Sequence, residues 1–322
     1  MPSPLLQLAG AVDADAPDTG VAAHYGAITS EQRRLIAAAQ PDTSESTFVD
    51  LSHRDVVTVA GPDRLTWLHS LTTQYLEGLA PHTPTQALIL TPQGRVEHAF
   101  SGYDDGETFW AHTEPGHGAA LAQWLDGMRF MMRVEVTDVS DQWAVLGLPG
   151  LRHELVPRAE LPAQPDRIGA PVGLWAWEAL RIEAGMPRFG LDTDEKTIPN
   201  EVGWVAGPGQ SAAVHLDKGC YRGQETVARV HTLGRPPRRL VLLHVDGSAE
   251  HLPVHGSEVS LDGRKVGFVG STARHHELGP ISLALIKRNV DISLELLADG
   301  VAASQEVLVD PEVGMHVRPV LG

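Results

Sequence analysis

The sequence is poor in cysteine, in aromatic residues and in long apolar runs. Its 322 residues include one cysteine, Cys220, which excludes an internal disulfide and suits a reducing compartment. Aromatic residues make up only 5%, whereas 32 Gly and 23 Pro indicate a turn-rich and strand-rich protein. No stretch approaches the roughly 20 apolar residues of a membrane span, and the first residues lack the pattern of a secretion signal. These features predict a cytoplasmic protein without membrane contact.

Basic residues are scarce as well. The chain has 25 Lys and Arg against 41 Asp and Glu, a formal net charge of −16. Such a chain repels phosphate backbones and anionic lipids, so no nucleic-acid partner is expected. Residues 215–239 reverse this balance, with six Lys or Arg and only two acids, Asp217 and Glu225. This basic segment is interpreted either as an attraction site for an anionic ligand or partner, or as a solvated linker.

The order of apolar patterns in the first half predicts an α+β unit. Residues 1–25 have no clear period and are expected to form a surface arm, followed by a helix over 31–40 with Ser30 as its N-cap. A helix over 174–184 is expected to end at Gly185, and 150–172 is interpreted as a connection. The elements between these are strand 56–60, a helix after Pro62, strands 86–91, 95–103 and 108–113, helix 118–128 and strand 133–139. This order is typical of helices on one face of an antiparallel sheet.

The last third has a different pattern, with short strands separated by glycine turns. The predicted strands are 240–245, 258–261, 265–269, 281–286, 294–297 and 306–309. Their spacing predicts a small antiparallel barrel. We place the domain boundary in the run 234–239. The predicted domains are therefore 1–239, with subdomains of about 25–148 and 149–239, and 240–322.

The segment with the most chemical character is 217–227, DKGCYRGQETV, which precedes a predicted helix. Gly219 and Gly223 permit tight turns close to a ligand. The cationic neighbours Lys218 and Arg222 favour the thiolate form of Cys220 and so its reactivity. The alternative is a buried structural cysteine in a helix-entry turn, since free cysteine is among the most buried residue types.

Residues 218–225, Lys-Gly-Cys-Tyr-Arg-Gly-Gln-Glu, resemble the signature of the YgfZ family, which is related to the glycine-cleavage T protein, an aminomethyltransferase. Segments 50–73, 88–103, 178–190 and 262–286 resemble, in order, that family's first strand–helix unit, hairpin, folate-contacting helix and carboxy-terminal barrel. The resemblance implies an α+β, aminomethyltransferase-like fold that binds tetrahydrofolate around a central channel and is closed by a C-terminal antiparallel β-barrel.

The resemblance also implies a function. It is that of an accessory factor for the assembly or repair of iron–sulfur proteins, with client or assembly proteins as partners; a monomer is expected. The implied activity lies in the 218–225 turn, whose candidate residues are Lys218, Cys220, Tyr221, Arg222, Gly223, Gln224 and Glu225.

Glu183 is the leading candidate for folate binding. A carboxylate in the last turn of a helix is disfavoured, because it faces the negative end of the helix dipole. A residue that departs from such a preference often has a functional role. A carboxylate can accept two hydrogen bonds from the N–H groups of a pterin edge, and the matching glutamate has that role in the T-protein relatives. The alternative is a surface glutamate paired with Arg181 or Lys196. Arg229, in the basic segment, is a further candidate for an anionic part of the folate.

His98 marks a departure from the transferase pattern. Aminomethyltransferases carry Gly-Gly-Val-Ile-Asp-Asp in the matching hairpin, and residues 94–99 place His98 and Ala99 at the two aspartates. Strand alternation would put Val96, His98 and Phe100 on one face and Glu97 on the other, so Glu97 would not replace the missing carboxylate. His98 is interpreted either as a hydrogen-bonded residue lining the folate channel or as a catalytic residue.

Three functional classes therefore remain open. The missing aspartates argue against ordinary aminomethyl transfer, but a folate-dependent one-carbon transferase is the chief alternative to the accessory factor. A folate-binding scaffold, in which Cys220 only packs, is the third. No resident metal is predicted, since an iron–sulfur cluster generally needs about four thiolates. The run Gly207-Pro208-Gly209 is interpreted as a turn, not as a dinucleotide fingerprint.

Overall fold

The computed structural model describes residues 1–205 and 212–315, so the predicted turn at 207–209 lies outside the described residues. The helices are α1 (Ile28–Ala37), α2 (Arg64–Leu71), α3 (Gly118–Gly127), α4 (Gln164–Arg167), α5 (Leu174–Glu183) and α6 (Gln224–Leu233). The strands are β1 (Val12–Asp13), β2 (Ala22–His24), β3 (Val49–Asp50), β4 (Asp55–Ala60), β5 (Thr85–Leu90), β6 (Val96–Asp104), β7 (Thr108–Thr113), β8 (Glu135–Asp138), β9 (Trp143–Leu148), β10 (Arg152–Pro157), β11 (Arg238–Val245), β12 (Glu258–Leu261), β13 (Arg264–His275), β14 (Gly279–Lys287), β15 (Leu296–Ala298) and β16 (Val301–Val307). No helix within these residues has the length and apolar character to cross a membrane.

A five-stranded antiparallel sheet forms the first layer, in the order β5-β6-β7-β4-β8. Helices α2 and α3 cover it, and buried residues such as Trp67, Phe109 and Leu121 share one apolar core with the strands. The sheet arises from alternating β-branched and aromatic residues, and the helices supply the apolar face that it needs. The predicted layer of helices on an antiparallel sheet is confirmed.

A second, three-stranded sheet has the order β10-β9-β3. None of its three strands was expected: β3 precedes the predicted strand 56–60, β9 precedes the predicted connection 150–172, and β10 lies inside it. The hairpin turns at Gly150 and Leu151, both with positive φ. The expectation of an irregular connection is therefore wrong. Its Pro and Arg residues suggested a loop, but Val156 is buried against Ala144 and Leu146 of β9.

The N-terminal arm belongs to the folded body, so the expectation of a surface arm is wrong. Val21 and Ala23 are buried with residues of α5. Helix α1 begins at Ile28 and not after Ser30, whose hydroxyl donates back to the Ala27 carbonyl. The N-terminus of α1 is closed instead by Glu31, whose carboxylate accepts the Tyr25, Ala27 and Gly173 N–H groups. That long-range hydrogen bonding was not visible in local sequence.

The carboxy-terminal strands close into a six-stranded antiparallel barrel in the order β11-β14-β13-β12-β15-β16. Strand β13 is longer than expected, because it continues through a bulge between Val269 and Thr272 and reaches His275. Helix α5 packs across β13 and so joins the barrel to the rest of the chain. The predicted fold class, α+β with a C-terminal barrel, is confirmed.

Candidate functional site

A buried network of charged side chains lies where the arm, α5 and the barrel meet. Arg188 is its centre: its guanidinium lies 2.6 Å from Asp18, 2.6 Å from Glu114 and 3.3 Å from Glu178. Arg181, on α5, pairs with Glu178 at 2.6 Å and with Asp192 at 3.1 Å. Buried charges of this kind persist only when paired and hydrogen-bonded.

The network extends to the barrel and fixes the ionisation of its acids. Asp192 accepts hydrogen bonds from the N–H and the hydroxyl of Ser271, on β13. Burial alone would raise the pKa of Glu114, but Arg54 and Arg188 outweigh it and lower that pKa to about 2. The network is therefore charged at neutral pH and connects three parts of the chain.

A small central cavity adjoins this network. Ala99, His112, Phe189 and Trp204 are among the residues that line it, and its volume is about 40 Å³. Burial, with a smaller effect of Arg54, lowers the pKa of His112 to about 3, so this imidazole is neutral. A space of that volume holds a few water molecules but not a bicyclic pterin.

A larger cleft, here called the arm cleft, lies between the N-terminal arm, α5 and the barrel. Its volume is about 440 Å³, within the range typical of small-molecule sites. Apolar residues dominate the lining, including Leu174, Leu252 and the half-exposed ring of Trp175. Glu178 and Arg188 add charged groups, and β13 contributes residues 270–274.

Glu183 ends α5 beside the barrel. Its carboxylate Oε2 lies 3.3 Å from Nε2 of His275, on β13, and the side chain is about half exposed (47%). Nδ1 of His275 accepts the N–H groups of Glu277 and Leu278, so in the neutral ring the proton resides on Nε2 and faces Glu183. The partners expected for a surface glutamate are engaged elsewhere, Arg181 as above and Lys196 with Glu195. The contact between His275 and Glu183 is therefore that of a neutral imidazole near a carboxylate, without hydrogen-bond geometry.

A β-bulge changes the faces predicted for the 96–100 strand. Ile89 pairs with His98 but Leu90 pairs with Val96, so Glu97 is the extra residue. As a result Val96 packs in the same core as Ala99, whereas Phe100 belongs to the sheet–helix core. The expectation that Val96, His98 and Phe100 share one face is wrong, because alternation fails at a bulge.

His98 lies beside α3 and does not line the central cavity. It is buried, its ring centre is 6.2 Å from that of Trp124, and burial lowers its pKa. Glu97 instead pairs with Arg222 at 3.1 Å, and that guanidinium lies over Trp124 at 5.9 Å. Ala99, at the second aspartate position, lines the central cavity together with its strand neighbours Phe100 and Ser101. Glu97 is not among the residues that line this cavity, and the reason is the bulge and its pair with Arg222 rather than the predicted strand alternation.

The turn at 218–225 is anchored on both sides of Cys220. Lys218 is buried and donates to the carbonyl oxygens of His69 and Thr72, at the C-terminus of α2. Burial lowers its pKa to about 8. Tyr221 is buried below it, 5.3 Å from the ammonium group. Lys218 therefore holds the turn in place through the helix end.

Gly223 fixes the other end of the turn. Its φ is +81°, and a Cβ there would lie 2.5 Å from the Thr91 carbonyl oxygen and 2.9 Å from Gly94. Helix α6 starts at the next residue. Only glycine fits this approach between the turn and the β5–β6 hairpin.

Cys220 itself is exposed, so the alternative of a buried structural thiol does not describe this structure. Gln224, Glu225 and Arg229 lie on α6, and in the described part of the chain their side chains have no hydrogen-bond or ion-pair partner. No group of three or more potential metal ligands occurs among the described residues.

Three of the six cations in the basic segment form ion pairs within the fold, and two more donate only to uncharged oxygens. Arg238 pairs with Asp194 and Glu201, Arg235 pairs with Glu312, and Arg239 donates to Val290 and Gln305. With Lys218 and Arg222 engaged as described, Arg229 is the cation left unpaired within the described residues. Since α6 and the start of β11 occupy much of 215–239, the segment is more than a solvated linker, and its attraction for an anion stays a prediction.

The structure thus joins some of the sequence candidates and separates others. Arg222 and Trp124 connect the cysteine turn with the 97–98 region. Tyr221 of the turn shares a core with Ile182 of α5, whereas the Glu183 carboxylate lies against His275 of the barrel. The Arg188 network and the arm cleft were both missed. The signal available in the sequence was the alternation of acids and arginines in 178–192, which local patterns do not resolve into a network.

Comparison with known proteins places these features in a context. No family model matches the sequence. An aminomethyltransferase of Rippkaea orientalis is 28% identical over 267 residues, covering 81% of this chain and 58% of that protein. The tRNA-modifying protein YgfZ of Edwardsiella ictaluri is 28% identical over 246 residues, covering 63% of this chain and 71% of the relative. A chloroplast protein of Arabidopsis thaliana that is named a transferase is 25% identical, and the alignment covers 74% of this chain and 65% of that protein.

The fold comparison covers nearly the whole chain. The crystal structure of glycine cleavage system aminomethyltransferase T from Bartonella henselae superposes with a TM-score of 0.76 over 96% of this chain and 97% of that one, at 17% identity. The sequence alignments thus span about three fifths of the Rippkaea and Arabidopsis relatives, whereas the structural superposition covers 97% of the Bartonella protein.

Proposed function

We propose that this protein, which is related in sequence to YgfZ and to the aminomethyltransferases and has the fold of the glycine-cleavage T protein, binds a reduced folate such as tetrahydrofolate and serves the assembly or repair of iron–sulfur proteins. These relationships confirm the resemblance stated from the sequence and are consistent with a member of the YgfZ family. The fold match over 96% of the chain is the observation that carries the folate proposal.

The proposed folate site runs along α5 from the arm cleft to Glu183. Trp175, in the cleft, and Glu183 are eight residues apart on one helix, or about 12 Å at 1.5 Å per residue. Strand β13 runs beside them: its residues 270–274 line the cleft, and the next residue, His275, contacts Glu183. We propose that Glu183 accepts hydrogen bonds from the pterin edge and that the cleft binds the aromatic part of the folate beyond the pterin. His98 and Arg229 do not line the arm cleft, and they stay proposals for contacts of the ligand outside it.

The proposed activity resides in the 218–225 turn. Lys218 and Tyr221 anchor it from below, Gly223 and Arg222 hold it to the β5–β6 hairpin, and Cys220 points outward between these anchors. Such an arrangement supports a thiol presented to a partner protein rather than one used for packing. A single thiol provides one of the ligands that an iron–sulfur cluster requires, so contact with a cluster would be shared with the client.

The relative from Edwardsiella is named a tRNA-modifying protein. For this chain a direct nucleic-acid contact is not proposed, because its formal net charge of −16 opposes binding to a phosphate backbone. A folate-dependent one-carbon transferase remains the alternative, favoured by the aminomethyltransferase relatives and opposed by His98 and Ala99 at the two aspartate positions.

Folate binding by α5 predicts the effects of two substitutions. Glu183→Gln replaces an acceptor oxygen with a donor and should weaken tetrahydrofolate binding about tenfold to hundredfold. Trp175→Ala removes a large aromatic surface from the cleft and should weaken it about tenfold. Isothermal titration of both variants, at constant salt, measures the dissociation constants.

Glu135→Gln, an exposed change on β8, is the matched control and should leave affinity unchanged. If both α5 variants bind tetrahydrofolate like the unmodified protein, the assignment of the site to α5 is wrong. If only one of them is impaired, the ligand occupies only that end of the helix.

The accessory role also predicts a negative result in the transferase assay. Because His98 and Ala99 replace the two carboxylates, the protein should not form methylenetetrahydrofolate from an aminomethylated carrier protein. A reconstituted glycine-cleavage assay with a genuine T protein as positive control tests this. Robust turnover by this chain would favour the one-carbon transferase over the accessory factor.

A further inference from the structure

A β-turn between α3 and β8 has an exposed apolar tip. It comprises residues 129–132, here called the Phe130 turn, and the Met132 N–H donates to the Arg129 carbonyl at 2.9 Å. Its central side chains, Phe130 and Met131, are 84% and 97% exposed, which makes them the two most exposed large apolar side chains among the described residues. Single exposed apolar residues are common on protein surfaces, but adjoining ones at a projecting turn indicate an interaction site.

Phe130 also departs from ordinary turn chemistry. Its φ is +45°, in the left-handed region, at the first central position of the turn. Glycine or asparagine normally occupies such a position, because a side chain as bulky as phenylalanine is strained there. The strain orients an aromatic ring toward solvent, where the ring adds nothing to the core. Departures of this kind are found mainly at functional sites.

Both ends of the Phe130 turn are fixed to the body of the protein. The Met128 carbonyl accepts the Nε1–H of Trp67 at 3.2 Å. On the other side, the Arg133 N–H donates to Asp63 at 2.9 Å, and the Arg133 guanidinium pairs with the same carboxylate at 2.6 Å. The tip is therefore exposed although its base is firmly anchored.

The charges around the tip favour a protein partner over a lipid surface. Arg129 pairs with Asp126 at 3.3 Å, and Arg133 pairs with Asp63, so both arginines that flank the tip already have carboxylate partners. An anionic membrane attracts unpaired cations, and the formal net charge of −16 opposes such binding further. Aromatic residues, methionine and arginine are enriched at protein interfaces, where polar groups form the rim.

The Phe130 turn is connected to the cysteine turn through α2 and α3. Arg222, two residues after the cysteine, lies over Trp124 in α3, six residues before Phe130. Trp67, which holds the base of the Phe130 turn, lies in α2, and the C-terminal end of α2 binds Lys218. A protein interface of standard size includes about 20–30 residues on each side, enough for both turns. The tip alone is too small for a contact between two copies of the chain, since a stable interface buries about 1,200 Å² or more.

We infer that the Phe130 turn is a docking site for the partner protein to which Cys220 is presented, and that this partner has an apolar pocket for Phe130 and Met131. The partner itself is supplied by the proposed function, on which this inference rests. The ion pairs of Arg129 and Arg133 form the polar rim of the contact.

Phe130→Gly tests the docking site. Glycine adopts a positive φ without strain, so the midpoint of thermal unfolding should be unchanged or higher. Tetrahydrofolate affinity and iodoacetamide labelling of Cys220 should stay the same. In a strain that lacks its own copy of the gene, at an expression level that limits rescue, the iron–sulfur enzyme activity restored should fall about tenfold, because an aromatic anchor is lost. Ile292→Ser, which removes an exposed apolar side chain from the barrel domain, is the control and should rescue fully.

Photo-cross-linking in cells identifies the contact. Cross-linkers placed at exposed positions 131 and 217, the latter beside the cysteine turn, should capture the same protein, and Phe130→Gly should prevent its capture from 217. A cross-linker at 292 should not capture it. Capture of different proteins from 131 and 217 would overturn the shared docking site.

The rescue results separate this inference from the proposed function. Full rescue by Phe130→Gly, together with failure of Cys220→Ser to rescue, would overturn the docking site and leave the proposed function standing. Failure of the unmodified protein to rescue would contradict the proposed function, and the cross-links would then decide the docking site. Binding to phosphatidylcholine–phosphatidylglycerol vesicles, or dimerisation in analytical ultracentrifugation, that Phe130→Gly abolishes would assign the tip to a membrane or a second copy and overturn the inference.

Discussion

Arg188→Met is expected to lower the free energy of unfolding by about 3–5 kcal/mol, the cost of removing one partner from a buried ion-pair network. Arg188 is 97% buried and faces Asp18, Glu114 and Glu178. Methionine fills much of the volume but leaves these carboxylates without their shared cation. Urea unfolding of variant and unmodified protein at neutral pH measures the difference.

The pH dependence distinguishes charge loss from altered packing. In the unmodified protein the pKa of Glu114 falls from its ordinary value of 4.5 to about 2, so its stabilising contribution is present above pH 4.5 and is lost as the pH falls toward 2. Without Arg188, burial raises the pKa values of the carboxylates. Their protonation as the pH falls then restores part of the variant's free energy of unfolding. The difference in free energy of unfolding between the unmodified protein and Arg188→Met should therefore decrease from neutral pH to about pH 4.

Arg33→Met, at an exposed position, is the control and should change stability by less than about 0.5 kcal/mol. A loss below about 1 kcal/mol for Arg188→Met would show that the network contributes little. A gap that does not change with pH would assign the loss to packing alone.

Cys220→Ser is expected to abolish function while sparing the fold. The thiol is exposed, so the change should alter stability by less than about 0.5 kcal/mol. Tetrahydrofolate affinity should also be unchanged, because Cys220 is not among the residues that line the arm cleft. In a strain that lacks its own copy of the gene, the unmodified protein should restore iron–sulfur enzyme activity and Cys220→Ser should not.

Two controls separate a reactive thiol from an exposed but inert one. Iodoacetamide should label Cys220 in the folded protein, because the thiol is exposed. Ser293→Ala, at an exposed turn, should rescue like the unmodified protein. Full rescue by Cys220→Ser would remove Cys220 from the activity and favour the folate-binding scaffold.

The elements that the sequence predicted well are those with strong local patterns. The strand Thr108–Thr113 and the barrel strand Glu258–Leu261 have the predicted bounds, because alternation and glycine turns define them. Strand β10 was missed because its Pro and Arg residues resemble a loop, and its pairing with β9 depends on tertiary contacts. The Glu31 cap of α1 likewise depends on Gly173, 142 residues away.

In the candidate site, too, local patterns were predicted and contacts between distant residues were not. The motif at 218–225 identified the turn, but not that Lys218 caps α2 or that Arg222 pairs with Glu97, since both contacts span more than 100 residues. The faces of β6 were mispredicted because the bulge at Glu97 leaves no clear local signal. The arm cleft and the Arg188 network form only when the arm, α5 and the barrel come together.

Binding of tetrahydrofolate tests the central claim most directly. Isothermal titration of the purified full chain with tetrahydrofolate should show saturable binding at one site, and Glu183→Gln should weaken it while Glu135→Gln should not. Absence of binding of any reduced folate at near-millimolar concentration, by a chain shown to be folded, would contradict the account.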